Sequence, residues 1–276
     1  MGQDTEYYLM ENLEETSRLE LKTNPHAVRE QARWCGLRPG MRVLDAGCGP
    51  GLVTAILDEM LQPGGEIIGI DFSEDRIRHA EKEYGGKPTI HFRQHDLKKP
   101  MPELGSFDLI WSRFVLEYHR LESSAIVKNL ADSLKPGGKM CLLDLDHNCL
   151  NHYELSPEIE KILFALISEL EQKYDFDPYA GRKLYAYLYD LGFQDIELHL
   201  VAHHLIYGKA GEAEIFNWYK KVDVASAKAE RLFKDFPGGR YGFLEKFKEF
   251  FLGARRFTYT PLILCKGVKP SSCDTP

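Results

Sequence analysis

The segment Val43–Gly51 constrains the fold and function of this chain more than any other part of its sequence. An apolar strand leads to an acid, Asp45, and three glycines follow at alternate positions before a helix-forming run begins at Leu52. Glycine permits a sharp turn and a close approach of a ligand, because it has no Cβ. The first turn of a helix presents free N–H groups. Such a strand–loop–helix unit indicates a cradle for a nucleotide-type cofactor.

Strand and helix signals alternate along residues 42–146. The predicted strands are Arg42–Ala46, Glu66–Asp71, Thr89–Arg93, Phe107–Ser112 and Lys139–Asp144. The predicted helices between them are Leu52–Leu61, Glu74–Tyr84 with Ser73 as its N-cap, and Leu121–Leu134. Strands that alternate with helices imply parallel pairing through right-handed crossovers. The sequence therefore predicts an α/β fold.

Beyond residue 150 the pattern changes. A long helix opens at Ser156-Pro157, a second spans about Arg182–Leu191, and strands are predicted at Asp195–Ile206 and Phe257–Cys265. The helical, aromatic-rich block 209–253 between those strands is too long for a simple connection. It is either plain helical packing or a cap over the active cleft, and the two interpretations are compatible. The predicted units are an N-terminal helical arm (1–39), a core (40–208 and 254–268), a helical cap insertion (209–253) and a flexible tail (269–276).

Composition excludes several classes of protein. A net charge of −7 argues against nucleic acid as the main partner. No apolar run approaches the roughly 18 residues of a membrane span, and the first residues lack the features of a secretory signal. The six cysteines form no Cys-x-x-Cys pair, so neither a zinc nor a redox site is predicted. A cytoplasmic protein with reduced thiols is expected, and the oligomeric state is left open.

Two cofactor types compete for the glycine loop. Dinucleotide-binding loops use Gly-x-Gly-x-x-Gly, but the pattern that starts at Gly47 has Leu52 in place of the third glycine. Pro50 removes one N–H from the loop, and Asp45 would repel a pyrophosphate. An acid suits a cation instead. S-adenosylmethionine, which carries a sulfonium and an α-amino group but no phosphate, is the predicted cofactor.

Other predicted cofactor-binding residues lie at the ends of later strands. Asp71 ends the second strand, where an acid accepts the ribose hydroxyls of a nucleotide. Phe72 is expected on the adenine face, and Asp96 is expected to accept from the adenine amino group. Ser112 ends the fourth strand and faces the cleft by the same rule. Arg18, on the N-terminal arm, is expected to meet the cofactor's carboxylate; each of these residues has an ordinary structural role as its alternative.

Five motifs, in this order, resemble those of class I S-adenosylmethionine-dependent methyltransferases. They are Val43–Gly51, Ile67–Ser73, His95–Leu97, Phe107–Ser112 and Leu134–Lys139. The resemblance implies a Rossmann-like, mostly parallel sheet of seven strands, with the last strand antiparallel and helices on both faces. It is strongest to the small-molecule subgroup that includes ubiquinone and menaquinone biosynthesis enzymes. The residues to which it gives a role are Gly47, Gly49 and Gly51 for the methionine part, Asp71 for ribose, and Asp96 with Leu97 for adenine.

The methyl acceptor leaves a weaker signal. A phenol or carbon acid needs a base, and histidine is the natural base near neutral pH. The candidates for a catalytic role are His147, His152 and, on the N-terminal arm, Tyr8. The residues after strand four (Arg113, Phe114, Glu117, Tyr118 and His119) are further candidates, whereas His203-His204 is expected to be structural and no metal site is predicted.

The predicted function is methyl transfer from S-adenosylmethionine to a small organic acceptor. A nicotinamide-dependent oxidoreductase and a non-catalytic binding module with the same fold are the alternatives. A macromolecular acceptor is disfavoured by the acidic charge and the predicted cap.

Overall fold

The computed structural model describes residues 23–271. Tyr8, Arg18 and most of the predicted N-terminal arm and tail lie outside the described residues. The helices are α1 Pro25–Cys35, α2 Leu52–Leu61, α3 Glu74–Tyr84, α4 Ser123–Asp132, α5 Pro157–Lys173, α6 Leu184–Asp190, α7 Glu212–Ala227 and α8 Gly239–Leu252. The strands are β1 Arg42–Ala46, β2 Glu66–Asp71, β3 Ile90–Gln94, β4 Phe107–Arg113, β5 Leu134–Leu145, β6 His152–Tyr153, β7 Gln194–Tyr207 and β8 Phe257–Val268.

One mixed sheet organises these elements. Its order is β3-β2-β1-β4-β5-β8, with β6 and β7 also paired to β8. Strands β1 to β5 pair in parallel, and β8 runs antiparallel to β5, β6 and β7. Strands β1, β2 and β3 are added to the sheet in one direction, and β4 and β5 are added in the other, so the strand order reverses between β1 and β4. In open α/β sheets, ligands bind at the carboxyl ends of the strands on either side of such a switch point.

Apolar side chains fill both faces of the sheet. Helices α1, α2 and α3 cover one face, where buried residues include Val28, Leu57 and Ile77. Helices α4 and α6 cover the other, where they include Val127 and Leu184. Strands buried on both faces carry continuous apolar runs, as Glu66–Asp71 does. Within residues 23–271, none of the helices combines the length and apolar character needed to cross a bilayer.

A third hydrophobic cluster forms a helical layer beside the sheet. It unites α5, α7 and α8 around buried aromatic side chains, among them Trp218, Phe243 and Phe247. The segment 209–253 therefore has a packed interior of its own, which it shares with α5. The sequence prediction assigned α5 to the core unit. The structure packs it in the same cluster as the residues predicted to form the cap.

The predicted α/β, mostly parallel sheet with an antiparallel last strand is confirmed, and most element bounds agree within two residues. Two differences have a local cause. Strand β5 begins at Leu134, five residues early, because a register shift between Phe107 and Leu109 accommodates the Pro-Gly-Gly segment. Strand β6 is only His152–Tyr153, so the sheet has eight strands within residues 23–271 where the resemblance implied seven. Two residues are too few to produce a periodic signal.

Candidate cofactor and acceptor site

A cavity of about 510 Å³ lies at the carboxyl edge of the sheet, beside the switch point between β1 and β4. The volume is typical of a small-molecule site, for which roughly 300–1,000 Å³ is usual. Its described walls come from the loops after β1, β2, β3 and β4 and from residues of the helical layer. The parallel strands direct these loops to one edge, so residues far apart in sequence meet there.

The glycine loop forms one wall of this cavity. Gly47, Cys48, Gly49 and Pro50 line it. A Cβ built on Gly49 would meet no atom within 4 Å, so the backbone there faces open space that a ligand can approach. Gly51 has a different role, because a Cβ on it would lie 2.7 Å from the Cβ of Ala80. Gly51 lets α2 pack against α3, and it is not among the residues that line the cavity.

Asp71 lines the cavity next to Gly49, and its carboxylate is held by two backbone donors. The N–H of Gly49 donates to Oδ2 at 2.9 Å, and the N–H of Ser73 donates to Oδ1 at 2.9 Å. The guanidinium of Arg76 lies 3.9 Å from Oδ1. A carboxylate has about four acceptor positions. These bonds therefore fix its orientation and leave acceptor capacity for a hydroxyl-bearing ligand.

The part of the cavity near Asp71 has both apolar and polar walls. Phe72 lines it with 43% of its surface exposed, and Leu97 lines it from a largely buried position. The carboxylate of Asp96 accepts from the N–H of Lys98 at 3.0 Å, which keeps Asp96 at the cavity wall. The structure thus brings Asp71, Phe72, Asp96 and Leu97 together at one cavity.

Two predicted cofactor residues lie behind this wall. Asp45 is buried and accepts a hydrogen bond from Thr54 Oγ1 at 2.6 Å. Burial and the nearby charge of Asp71 raise the pKa of Asp45 to about 7. Ser112 is also buried, and neither residue is among those that line the cavity. Asp45 thus connects β1 to α2 behind the cavity wall.

The structure does not bring the two histidine candidates to the cavity. His147 has a φ of 47° and contacts the edge of Tyr179, with ring centroids 5.2 Å apart. His152 is enclosed by aromatic rings of the helical layer, including Trp218 and Phe247, and Nδ1 lies 2.8 Å from Thr258 Oγ1. Neither side chain lines the described cavity, so neither is placed to take a proton from a molecule bound in it.

His152 makes the stability of the fold depend on pH. Burial, with the cations Arg256 and Lys221, lowers the pKa of His152 from 6.5 to about 4. Above pH 6.5 the ring is neutral in both the folded and unfolded states. As pH falls toward 4, the unfolded chain binds the proton first, so the free energy of unfolding falls by about 3 kcal/mol through this group.

Denaturant unfolding at pH 7.5 and pH 4.5 tests this expectation. The variant His152→Asn should lose less stability over this interval than the unchanged protein, by roughly 2–3 kcal/mol. The control is His26→Asn, because the side chain of His26 is 78% exposed, and it should follow the unchanged protein. Equal losses in the His152→Asn and His26→Asn variants would contradict the assignment.

The opposite end of the cavity is lined by residues from four separate elements. They are Arg113 at the end of β4 and Phe114, Glu117 and Tyr118 after it, Tyr174 after α5, His203 on β7 and Lys221 on α7. The first four are among the further candidates predicted from the sequence. His203 is predicted to be structural, and neither Tyr174 nor Lys221 is predicted to belong to the site. Their position on the cavity depends on the packing of α5, α7 and β7, and no local motif marks it.

Buried acids give this end an unusual charge distribution. Asp144 accepts from the N–H groups of Leu116 at 2.8 Å and Leu145 at 2.9 Å. Burial and the neighbouring Glu117 raise the pKa of Asp144 well above its ordinary value. Arg113 lies nearby, with its Cζ 4.0 Å from the centre of the Phe114 ring. Burial lowers the pKa of Arg113 to about 10, while Asp45 and Asp144 oppose this effect.

One group of possible metal ligands lies at the cavity wall. His119, Glu122 and Asp175 place ligand atoms within 4.8 Å of one another. Lys98 already lies 3.5 Å from Glu122, and the N–H of Leu121 donates to Asp175 at 2.9 Å. A lysine therefore supplies positive charge to this cluster.

Asp146, which follows β5, accepts two hydrogen bonds from the guanidinium of Arg182, at 2.7 and 2.9 Å.

Comparison with known proteins supports this arrangement at the level of family and fold. Demethylmenaquinone methyltransferase of Lactococcus lactis is 32% identical over 122 residues, which is 44% of this chain and 48% of that protein. Ubiquinone biosynthesis O-methyltransferase of Coxiella burnetii is 31% identical over 113 residues, which is 40% of this chain and 45% of that protein. The chain spans about half the length of these curated relatives.

Solved structures share the fold at low sequence identity. Phosphoethanolamine N-methyltransferase 2 of Haemonchus contortus, in complex with phosphomonomethylethanolamine and S-adenosylhomocysteine, superposes with a TM-score of 0.56 at 17% identity, covering 90% of this chain and 52% of that chain. The YcgJ protein of Bacillus subtilis gives a TM-score of 0.57 at 18% identity, covering 90% of this chain and 100% of that chain.

The family model described as a methyltransferase domain matches residues 37–192, which contain β1 to β5, the glycine loop and Asp71. That is more than half of the chain. This protein is therefore a member of the methyltransferase-domain family.

Proposed function

We propose that this protein transfers a methyl group from S-adenosylmethionine to a small organic acceptor by in-line displacement. The observation that carries the proposal is the position of Asp71, whose carboxylate is fixed by the N–H of Gly49 beside open space in the cavity. An acid at this position accepts ribose hydroxyls. The curated relatives named as methyltransferases support the same activity.

The residues that line the cavity fit this cofactor in its three parts. Gly47 and Gly49 would border the methionine part, and Asp71 would bind the ribose. Phe72 and Leu97 would enclose adenine, with Asp96 as acceptor for its amino group. We propose that Gly51, Asp45 and Ser112 support the loop from behind. Arg18, outside the described residues, stays a prediction for the cofactor's carboxylate.

The fit to a dinucleotide is poorer. Pro50 lines the cavity and offers no N–H to a phosphate. Leu52 stands where a dinucleotide loop has its third glycine, and the acid Asp45 lies beneath the loop. A pyrophosphate at this loop would therefore meet an acid and one N–H donor fewer. None of the relatives or structures described above is named as a nicotinamide enzyme, so this alternative has no observation in its favour.

S-adenosylmethionine, when bound, supplies an electrophilic methyl group on a positively charged sulfur. The task of the protein is then to align the acceptor and exclude water. Phe114, Tyr118 and Tyr174 give the far end of the cavity apolar, aromatic surfaces for a small acceptor.

We further propose a reducing, cytoplasmic location for the protein. The five described cysteines are free and buried, which supports this location.

Incubation with methyl-labelled S-adenosylmethionine and a panel of small phenols, amines and thiols tests the proposal. We expect label to appear in one acceptor class, together with stoichiometric S-adenosylhomocysteine. Binding of S-adenosylhomocysteine without transfer to any acceptor in the panel or in a metabolite extract would favour the binding-module alternative. Binding of NAD in its place would favour an oxidoreductase.

A further inference from the structure

The far end of the cavity contains a hydrogen-bonded chain that joins three elements of the fold. Lys221 on α7 donates from Nζ to Asn148 Oδ1 at 2.7 Å, and Asn148 Nδ2 donates to Glu117 Oε2. Glu117 and Lys221 both line the cavity, and Asn148 is 1% exposed. The lysine fixes the amide orientation of Asn148, because only its oxygen can accept from an ammonium. The amide nitrogen must then face Glu117.

Glu117 is the buried acid of this end. Glu117 is only 4% exposed, yet it forms part of the cavity wall. A second buried carboxylate, Asp144, accepts from the N–H of Glu117 at 3.2 Å, so negative charge accumulates here. The carboxylate of Glu117, held by Asn148 at the cavity wall, is positioned to accept a proton from a molecule bound there.

The surroundings of Glu117 select among acceptors. The aromatic rings of Phe114 and Tyr118 line the cavity beside it, and the ring of His203 lies 4.9 Å from that of Phe114. Flat aromatic molecules pack well on such surfaces. Lys221 adds a cation near the acid, which disfavours a positively charged amine and favours an oxygen that becomes an anion. A positively charged amine would be attracted by Glu117 but repelled by Lys221.

We propose that Glu117 is the general base for a phenolic or enolic hydroxyl acceptor, with Asn148 and Lys221 as positioning residues. This inference rests on the proposed methyltransferase function. The acceptor O–H bond breaks and its proton passes to the Glu117 carboxylate. The acceptor oxygen then forms the O–C bond to the methyl carbon as the S–C bond breaks, and the sulfur keeps the electron pair as a neutral thioether.

The dependence of the Glu117→Gln effect on acceptor acidity tests this role. Phenol holds its proton at pH 7.5 and needs a base, whereas 4-nitrophenol is largely ionised there. We expect Glu117→Gln to lower kcat for phenol by about 10²–10⁴-fold, the usual contribution of a general base, and for 4-nitrophenol by less than tenfold. Glu117→Asp should restore part of the loss. Glu160→Gln is the matched control, because Glu160 is exposed on α5 and outside the cavity.

A binding measurement tests the role of Lys221 without relying on methyl transfer. The absorbance of 4-nitrophenol bound to the S-adenosylhomocysteine complex reports its ionisation. Loss of a nearby cation in Lys221→Met should raise the pKa of the bound phenol by about one unit, since opposite charges favour the ionised form. Lys220→Met removes the same charge from the next residue, which does not line the cavity, and should leave that pKa unchanged.

Three outcomes would overturn the proposal. They are an equal loss with phenol and 4-nitrophenol in Glu117→Gln, methylation of primary amines in place of phenols, and failure of either phenol to bind the S-adenosylhomocysteine complex. Failure of the proposed function itself gives a different result. In that case, the unchanged protein would not bind S-adenosylhomocysteine at all.

Discussion

Replacing Asp71 by alanine is expected to weaken the binding of S-adenosylhomocysteine by roughly 10²–10⁴-fold. Two hydrogen bonds from ribose hydroxyls to a carboxylate would be lost, each of about 1.5–3 kcal/mol, and about 1.4 kcal/mol corresponds to a tenfold change in Kd. The variant also removes the acceptor that holds the N–H groups of Gly49 and Ser73. Isothermal titration calorimetry of both proteins gives the ratio of the two dissociation constants.

Asp75→Ala is the matched control for this prediction. Asp75 lies in the first turn of α3, close to Asp71 in sequence, and its carboxylate pairs with Arg78 at an exposed surface. Its replacement should change Kd less than threefold. Circular dichroism should show that Asp71→Ala is folded at the temperature of the titration. An unchanged affinity in a folded Asp71→Ala variant would remove Asp71 from the cofactor site.

Replacing Arg256 by methionine is expected to lower the free energy of unfolding by about 3–5 kcal/mol. The residue is 2% exposed, and its guanidinium donates to the carbonyl oxygens of Ile206 at 2.8 Å and Gly208 at 3.2 Å. Its Cζ also lies 4.8 Å from the centre of the Phe251 ring. Loss of the guanidinium leaves one buried and one partly buried carbonyl without this donor, at about 1–3 kcal/mol each, and removes the cation–π contact.

The neighbouring Arg255 supplies a control for the Arg256 prediction. Its side chain is 78% exposed and pairs with Glu154 at 3.0 Å. An exposed ion pair of this kind contributes at most about 1 kcal/mol, so Arg255→Met should unfold in urea close to the unchanged protein. If both variants unfold at the same urea concentration, then Arg256 does not connect the helical layer to the sheet as its contacts indicate.

The meeting of the glycine loop and Asp71 at one cavity was predictable because its determinants are local. The turn after β1 needs glycines within a few residues, and the acid at the end of β2 follows from strand length alone. Parallel pairing of β1 with β2 then brings Gly49 and Asp71 together, although they are 22 positions apart. Secondary structure and the rule that ligands bind at the carboxyl edge are sufficient for this part.

The group of residues at the far end of the cavity was not predictable in the same way. Glu117, Asn148 and Lys221 meet only because α7 packs beside the loops after β4 and β5. No periodicity or motif in the sequence encodes that contact. His152 shows the converse problem, because its residue type suggested a base. The aromatic packing that encloses it depends on residues 218–251, which are distant in sequence.

Calorimetric titration of this protein with S-adenosylhomocysteine and, separately, with NAD⁺ shows which cofactor the glycine loop binds. We expect one-to-one binding of S-adenosylhomocysteine at micromolar concentration and no heat of binding with NAD⁺. Binding of NAD⁺ together with no response to S-adenosylhomocysteine at millimolar concentration would contradict this expectation.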